Sequence, residues 1–201
     1  MSNVLARKKK RMQPLGYKEN IHVINQQRVR IRNYANGLAE KTFLDMKLIS
    51  YQALHDRFGF GLKRIQRLEQ GLNNLLNDKV STLEWAEYLT REKGIDLSSV
   101  DIPQRDLIAF QNLGYNNNNL PLKNKIDVVF GTVSDYIILS VVVLKTQFKF
   151  SKKQIEKYVD GICYLINCLA TGYETMTGIA SVLEWECKYI DKRFIGKTYE
   201  I

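Results

Sequence analysis

Histidine, cysteine and proline are all scarce in this 201-residue chain. The two histidines leave little material for general-base or metal chemistry, and three cysteines cannot frame a disulfide-stapled domain. With only three prolines, long stretches are free to be helical. Nucleotide-binding signatures are missing too. No G-x-x-x-x-G-K-[ST] loop occurs, and the G-x-G of Gly59 and Gly61 has no third glycine and lies between two helical patterns, the wrong setting for a dinucleotide site. Behind residues 1–6 comes a basic run rather than an apolar stretch of signal length. The longest apolar segment, residues 136–144, is about half the ~20 residues that a membrane helix needs. These absences predict a cytoplasmic protein with no catalytic residues, no cofactor, no metal and no membrane association.

Hydrophobic residues make up 45% of the chain and charged residues 25%, enough to bury a core. The net charge of +9 is unevenly spread. Residues 1–32 hold nine basic groups and one acid, a balance of +8, which leaves +1 for the other 169 residues. A cationic front end on a nearly neutral body points to a polyanionic partner, either nucleic acid or an acidic surface.

The chain also matches itself. At an offset of 90, residues 50–77 align without a gap on residues 140–167 with nine identities, including Phe58/Phe148, Phe60/Phe150, Lys63/Lys153 and Gly71/Gly161. Ordinary residue usage would give roughly two. Helical periodicity would align apolar classes, but it would not place Gly on Gly or F-x-F on F-x-F. Internal duplication is therefore expected.

The expected fold is mainly all-α: two tandem three-helix units behind a basic arm. The boundaries are residues 1–35 for the arm, 36–97 for the first unit, 98–124 for a linker with a short helix at 101–113, and 125–195 for the second unit. In the first unit an apolar-striped helix covers about 38–58, a Phe58-Gly59-Phe60-Gly61 turn follows, and a second helix carries Leu62, Ile65, Leu68, Leu72 and Leu75 at 3–4 spacing. Ser81-Thr82-Leu83-Glu84 has the capping-box form and opens a third helix that Gly94 stops. The second unit repeats this over about 126–148, a helix capped by Ser151 and Gln154, and 177–189. Its turn, Phe148-Lys149-Phe150-Ser151, lacks both glycines and could therefore differ. A unit of about 50 residues is marginal alone, so the two are expected to share a core built on their long first helices.

The stretch 54–65, with its Phe58-Gly59-Phe60-Gly61 turn and its Lys63-Arg64-Ile65 helix start, resembles a group of short proteins encoded in phages and mobile elements of Gram-positive bacteria. The likeness covers about residues 50–96. It implies a phage or prophage context, a bacterial host cytoplasm and a regulatory or host-takeover role, and it carries no site residues over.

Three basic features are candidates for nucleic-acid contact. Arg7, Lys8, Lys9, Lys10 and Arg11 form a pentad that would neutralise phosphates and release counterions. Arg28, Arg30 and Arg32 alternate. As a strand, paired in a hairpin with residues 21–24, they would share one face; as a helix, Arg28 and Arg32 would share a face and Arg30 would point away. The third feature is the helix starts, Lys63, Arg64 and Arg67 with Lys152, Lys153 and Lys157, which an ordinary solvated helix surface would explain equally well. Cys163, Cys168 and Cys187 read as buried thiols, Trp85 and Trp185 as core, and His55 beside Asp56 as a helix-end residue complementing the dipole. The expected partners are RNA or DNA. The alternative is a host protein or ribonucleoprotein, as for an inhibitor of a host defence system.

Overall fold

The computed structural model describes residues 17–78, 80–98, 100–113 and 120–195, with side chains from Gln26 onward except Gln27. It is all-α, with no strand among the described residues. The described residues form seven α-helices in order: α1 Tyr17–Phe58, α2 Leu62–Asn77, α3 Thr82–Lys93, α4 Gln104–Phe110, α5 Leu122–Gln147, α6 Lys152–Thr171 and α7 Met176–Cys187. A 3₁₀ turn, Lys192–Phe194, comes after them.

Local chemistry sets the helix ends. Ser81 with Glu84, and Ser151 with Gln154, form complete capping boxes, so orphan amides at both N-termini are paired. Gly94 closes α3 in the left-handed conformation at φ 63°. The linker helix is shorter than expected and ends at Phe110.

Residues 21–32 are helical and form no hairpin, which selects the second of the two arrangements open for Arg28, Arg30 and Arg32: α1 runs unbroken from Tyr17 to Phe58. At 1.5 Å per residue its 42 residues span about 63 Å. Among the described side chains of α1 the first buried one is Leu38, and Arg28, Val29, Arg30 and Arg32 are exposed, Val29 at 58%, so this part of the helix projects from the body. Tyr34, with Lys125 Nζ 5.9 Å from its ring, marks where the helix meets the core.

The long helices α1 and α5 pack on each other, and each also packs on the other unit's shorter helices. Helix α1 lies on α6 and α7, and α5 lies on α2 and α3, while α4 sits against α6 and α5. The exchange is reciprocal at single residues. Gly71 of α2 sits over Val143 and Gln147 of α5, and Gly161 of α6 sits over Ala53 and Arg57 of α1, each position being ninety residues from its counterpart. Helix α5 is long and apolar enough to cross a membrane by length and composition alone, and half of its most apolar stretch is buried inside the fold. Ser50 and Ser140, another counterpart pair, are fully buried, and Ser50 Oγ lies 2.7 Å from the Tyr158 hydroxyl, whose pKa burial pushes up to about 12.

Candidate nucleic-acid interface

Both F-x-F turns lie at one pole of the molecule. Gly59 takes φ 61°, and its counterpart Lys149 takes φ 59°, so the turn lacking glycine adopts the same left-handed residue as the one that has it. A non-glycine residue there costs about 1 kcal/mol. Each turn is closed the same way, by Phe60 N–H donating to the Leu54 carbonyl (3.3 Å) and Phe150 N–H donating to the Leu144 carbonyl (3.2 Å). The four rings meet across the units: Phe58 on Phe150 at 4.8 Å, Phe60 on Phe148 at 5.1 Å and Phe60 on Phe150 at 6.1 Å. This aromatic contact holds the starts of α2 and α6 side by side.

Cations cover the ring cluster. The Arg64 guanidinium lies 5.5 Å from the Phe60 ring, Arg67 lies 5.0 Å from Phe148, and Lys157 Nζ lies 5.7 Å from Phe58. The last two are again counterparts. Lys63, Arg64, Arg67, Lys152, Lys153 and Lys157 are all exposed, and so is Lys149 at the turn tip. The structure therefore gathers the six expected helix-start residues at a single pole, where two helix N-termini add their positive dipole ends.

The +1 of the body is the balance of two unlike parts. Residues 55–67 carry +3 and residues 145–157 carry +4, so the two turn regions hold +7. Everything else after residue 32 then sums to −6. The near-neutral body is a basic pole on an acidic remainder. Arg28, Arg30 and Arg32 lie on the projecting part of α1, all exposed, with Arg28 and Arg32 one turn apart and Arg30 on the other side. Arg7, Lys8, Lys9, Lys10 and Arg11 lie outside the described residues, as does the His22 side chain.

Next to the pole is a contact absent from the sequence reading. His55 Nε2 meets Glu186 Oε2 at 2.6 Å, and its Nδ1 lies 3.1 Å from the Phe60 carbonyl and 3.2 Å from Cys187 Sγ. The order Cys-His-Glu resembles a nucleophilic relay, but the thiol is only 3% exposed and sits at a helix C-terminus. Burial, with Glu186 and Asp56 nearby, raises the thiol's pKa, which is the reverse of activation. The cluster instead ties α7 to the first turn. Lys145, the counterpart of His55, donates to the Phe150 carbonyl at 3.0 Å and so makes the same contact.

Burial opposes charging of His55, but hydrogen bonds to Glu186 and the Phe60 carbonyl and the charges of Glu186 and Asp56 outweigh it and raise the pKa above 6.5. A raised imidazole pKa stabilises the fold fully below pH 6.5, and that contribution is lost as pH climbs through the folded-state value. Melting temperature is accordingly expected to fall by about 2 °C from this contact over that window, the scale of a partly exposed pair. His55→Lys should retain the carbonyl contact and flatten the pH profile, as thermal melts at stepped pH would reveal.

Cys163, Cys168 and Cys187 are free thiols, half-buried or buried. Trp85 packs against the core, whereas Trp185, expected there, is 80% exposed with Lys188 Nζ 5.6 Å from its ring. It occupies the face of α7 opposite Ile179 and Leu183, which are the residues that reach the core. Among the described residues no group of three His, Cys, Asp or Glu is placed to hold a metal ion. No family model, curated protein or solved structure matches the chain.

Proposed function

We propose that this chain is a non-enzymatic nucleic-acid-binding or regulatory protein of phage type, acting in the cytoplasm of a bacterial host. Its charge partition is the observation that carries the reading: +8 in residues 1–32 and +7 at the turn pole, against −6 elsewhere. Such segregation focuses a positive field on two surfaces, draws in a polyanion and gains affinity by counterion release. The arm captures, through Arg7, Lys8, Lys9, Lys10, Arg11, Arg28, Arg30 and Arg32, and the helical body sets the register.

The test is fluorescence anisotropy of the full chain with labelled nucleic acid at about 50 and 200 mM salt, a range over which several phosphate contacts lose orders of magnitude in affinity. Changing those eight arm residues to glutamine should weaken binding at least about tenfold and flatten the salt dependence. Undiminished affinity overturns the role given to the arm.

Trp185 favours a second reading, a protein–protein inhibitor of a host defence system. With Ile190, 57% exposed, and Lys188 it lines a shallow groove on the outer side of α7, and exposed Trp is the residue most often found at binding hot spots. A salt-resistant complex with one host protein, lost in Trp185→Ala, would select this reading. We also infer that the two units arose by internal duplication. The reciprocal seats of Gly71 and Gly161 and the matched turns at Gly59 and Lys149 support that descent.

A further inference from the structure

We infer that the turn pole grips double-stranded rather than single-stranded nucleic acid, spanning the two strands with its two basic helix starts; this rests on the nucleic-acid reading above. The first argument is symmetry. Four of the basic residues at the pole form counterpart pairs, Lys63 with Lys153 and Arg67 with Lys157, one member from each unit, while Arg64, Lys149 and Lys152 have Gln154, Gly59 and Leu62 as counterparts. A duplex backbone has local twofold axes of its own, which a protein with paired contacts can match, one strand to each half. A single strand has no such axis, so it would use one half and leave the other idle.

Spacing is the second argument. The Phe60 and Phe150 rings are 6.1 Å apart, and α2 and α6 each begin two residues further on. Two residues of chain, at most about 7 Å of reach on either side, keep the helix starts close enough together for both to face one B-form major groove, ~12 Å wide.

The third argument is the state of the aromatics. Single-strand binders hold bases on open aromatic faces. Phe60 and Phe150 are 2% and 6% exposed, and Phe58 and Phe148 have Lys157 and Arg67 over their rings. The four rings are thus spent on joining the units, and none of the four presents an open face for a base. What it offers a ligand is cationic and backbone-directed, a contact that does not depend on base sequence.

The experiment compares a labelled DNA duplex of about two helical turns with one of its own strands, and an RNA duplex with its single strand, on the full chain. Two variants, Lys63→Gln/Arg67→Gln and Lys153→Gln/Lys157→Gln, are measured alongside, with melting curves to establish that each is folded. Either duplex should bind at least about tenfold tighter than its strand, and each variant should weaken duplex binding by a similar factor and lower the salt slope by about two. Equal or tighter binding of the single strand overturns the inference and leaves the nucleic-acid reading standing. Loss confined to one of the two variants overturns it as well. Binding to none of the four probes defeats the reading itself.

Discussion

Asp45→Ala is expected to lower stability by about 3 kcal/mol, the scale for breaking a buried charge pair. Asp45 is 3% exposed and accepts from three elements at once: Arg193 Nη1 at 2.7 Å, Lys41 Nζ at 2.9 Å and Gln111 Nε2 at 3.1 Å. Lys41 also donates to Gln111 Oε1, and Arg193 donates to the Leu44 carbonyl and to Asp191. One carboxylate therefore fastens α1, the end of the linker helix and the C-terminal 3₁₀ turn. Lys41 can rehydrate when the acid is removed, but the buried Gln111 amide cannot. In a chain of this size 3 kcal/mol corresponds to about 6–12 °C in melting temperature. Asp45→Asn keeps an acceptor for Arg193 and should lose roughly half as much. A shift under 1 °C in Asp45→Ala would show that the hub contributes nothing.

Gly71→Leu should be still more damaging, with no folded protein recovered, because overpacking costs typically 1–3 kcal/mol even for added methylenes. A Cβ at Gly71 would lie 2.6 Å from Val143 Cγ1 and 2.8 Å from Gln147 Nε2. The gentler Gly71→Ala still pushes on the stiff branched Val143 and is expected to lose about 1–2 kcal/mol despite better helix propensity. Its counterpart provides the control. A Cβ at Gly161 would meet Ala53 Cβ at 3.3 Å, a contact that a shift of a few tenths of an ångström relieves. Gly161→Ala should thus be neutral or slightly stabilising, since alanine gains about 1 kcal/mol over glycine in a helix. Thermal melts of both variants decide the matter. Equal effects would mean that the closeness of the α2–α5 approach is not what glycine serves at position 71.

Helices, caps and turns were legible in the chain because they are local. Ser81 with Glu84, Ser151 with Gln154, and Gly94 each act within a few residues, and each does in the fold what its spacing implies. The second turn was harder to read, because a glycine-free Phe148-Lys149-Phe150 leaves room for a different conformation, yet Lys149 is left-handed and the rings beside it meet Phe58 and Phe60. The alternating Arg28, Arg30 and Arg32 imitate a strand over five residues, but they belong to a 42-residue helix whose continuity overrides that short pattern. Trp185 sits among apolar helix positions and so reads as core, although the helix turns it outward. The six helix-start cations were visible one at a time, while their meeting at one pole depended on contacts ninety residues apart. The contact between His55 and Glu186 spans 131 residues and left no trace in local spacing.

The exchanged packing of the long helices has a consequence for how the protein is made. Helix α1 finds its main neighbours in α5, α6 and α7, and the Gly161 seat for Ala53 lies more than a hundred residues downstream. A ribosome adding about 5–20 residues per second takes several seconds to cover that distance. Throughout that interval the apolar face of the nascent front half has nothing to close against. Chaperones that shield newly made chains would meet it there, and the packing of α1 must wait until α5, α6 and α7 have been synthesised.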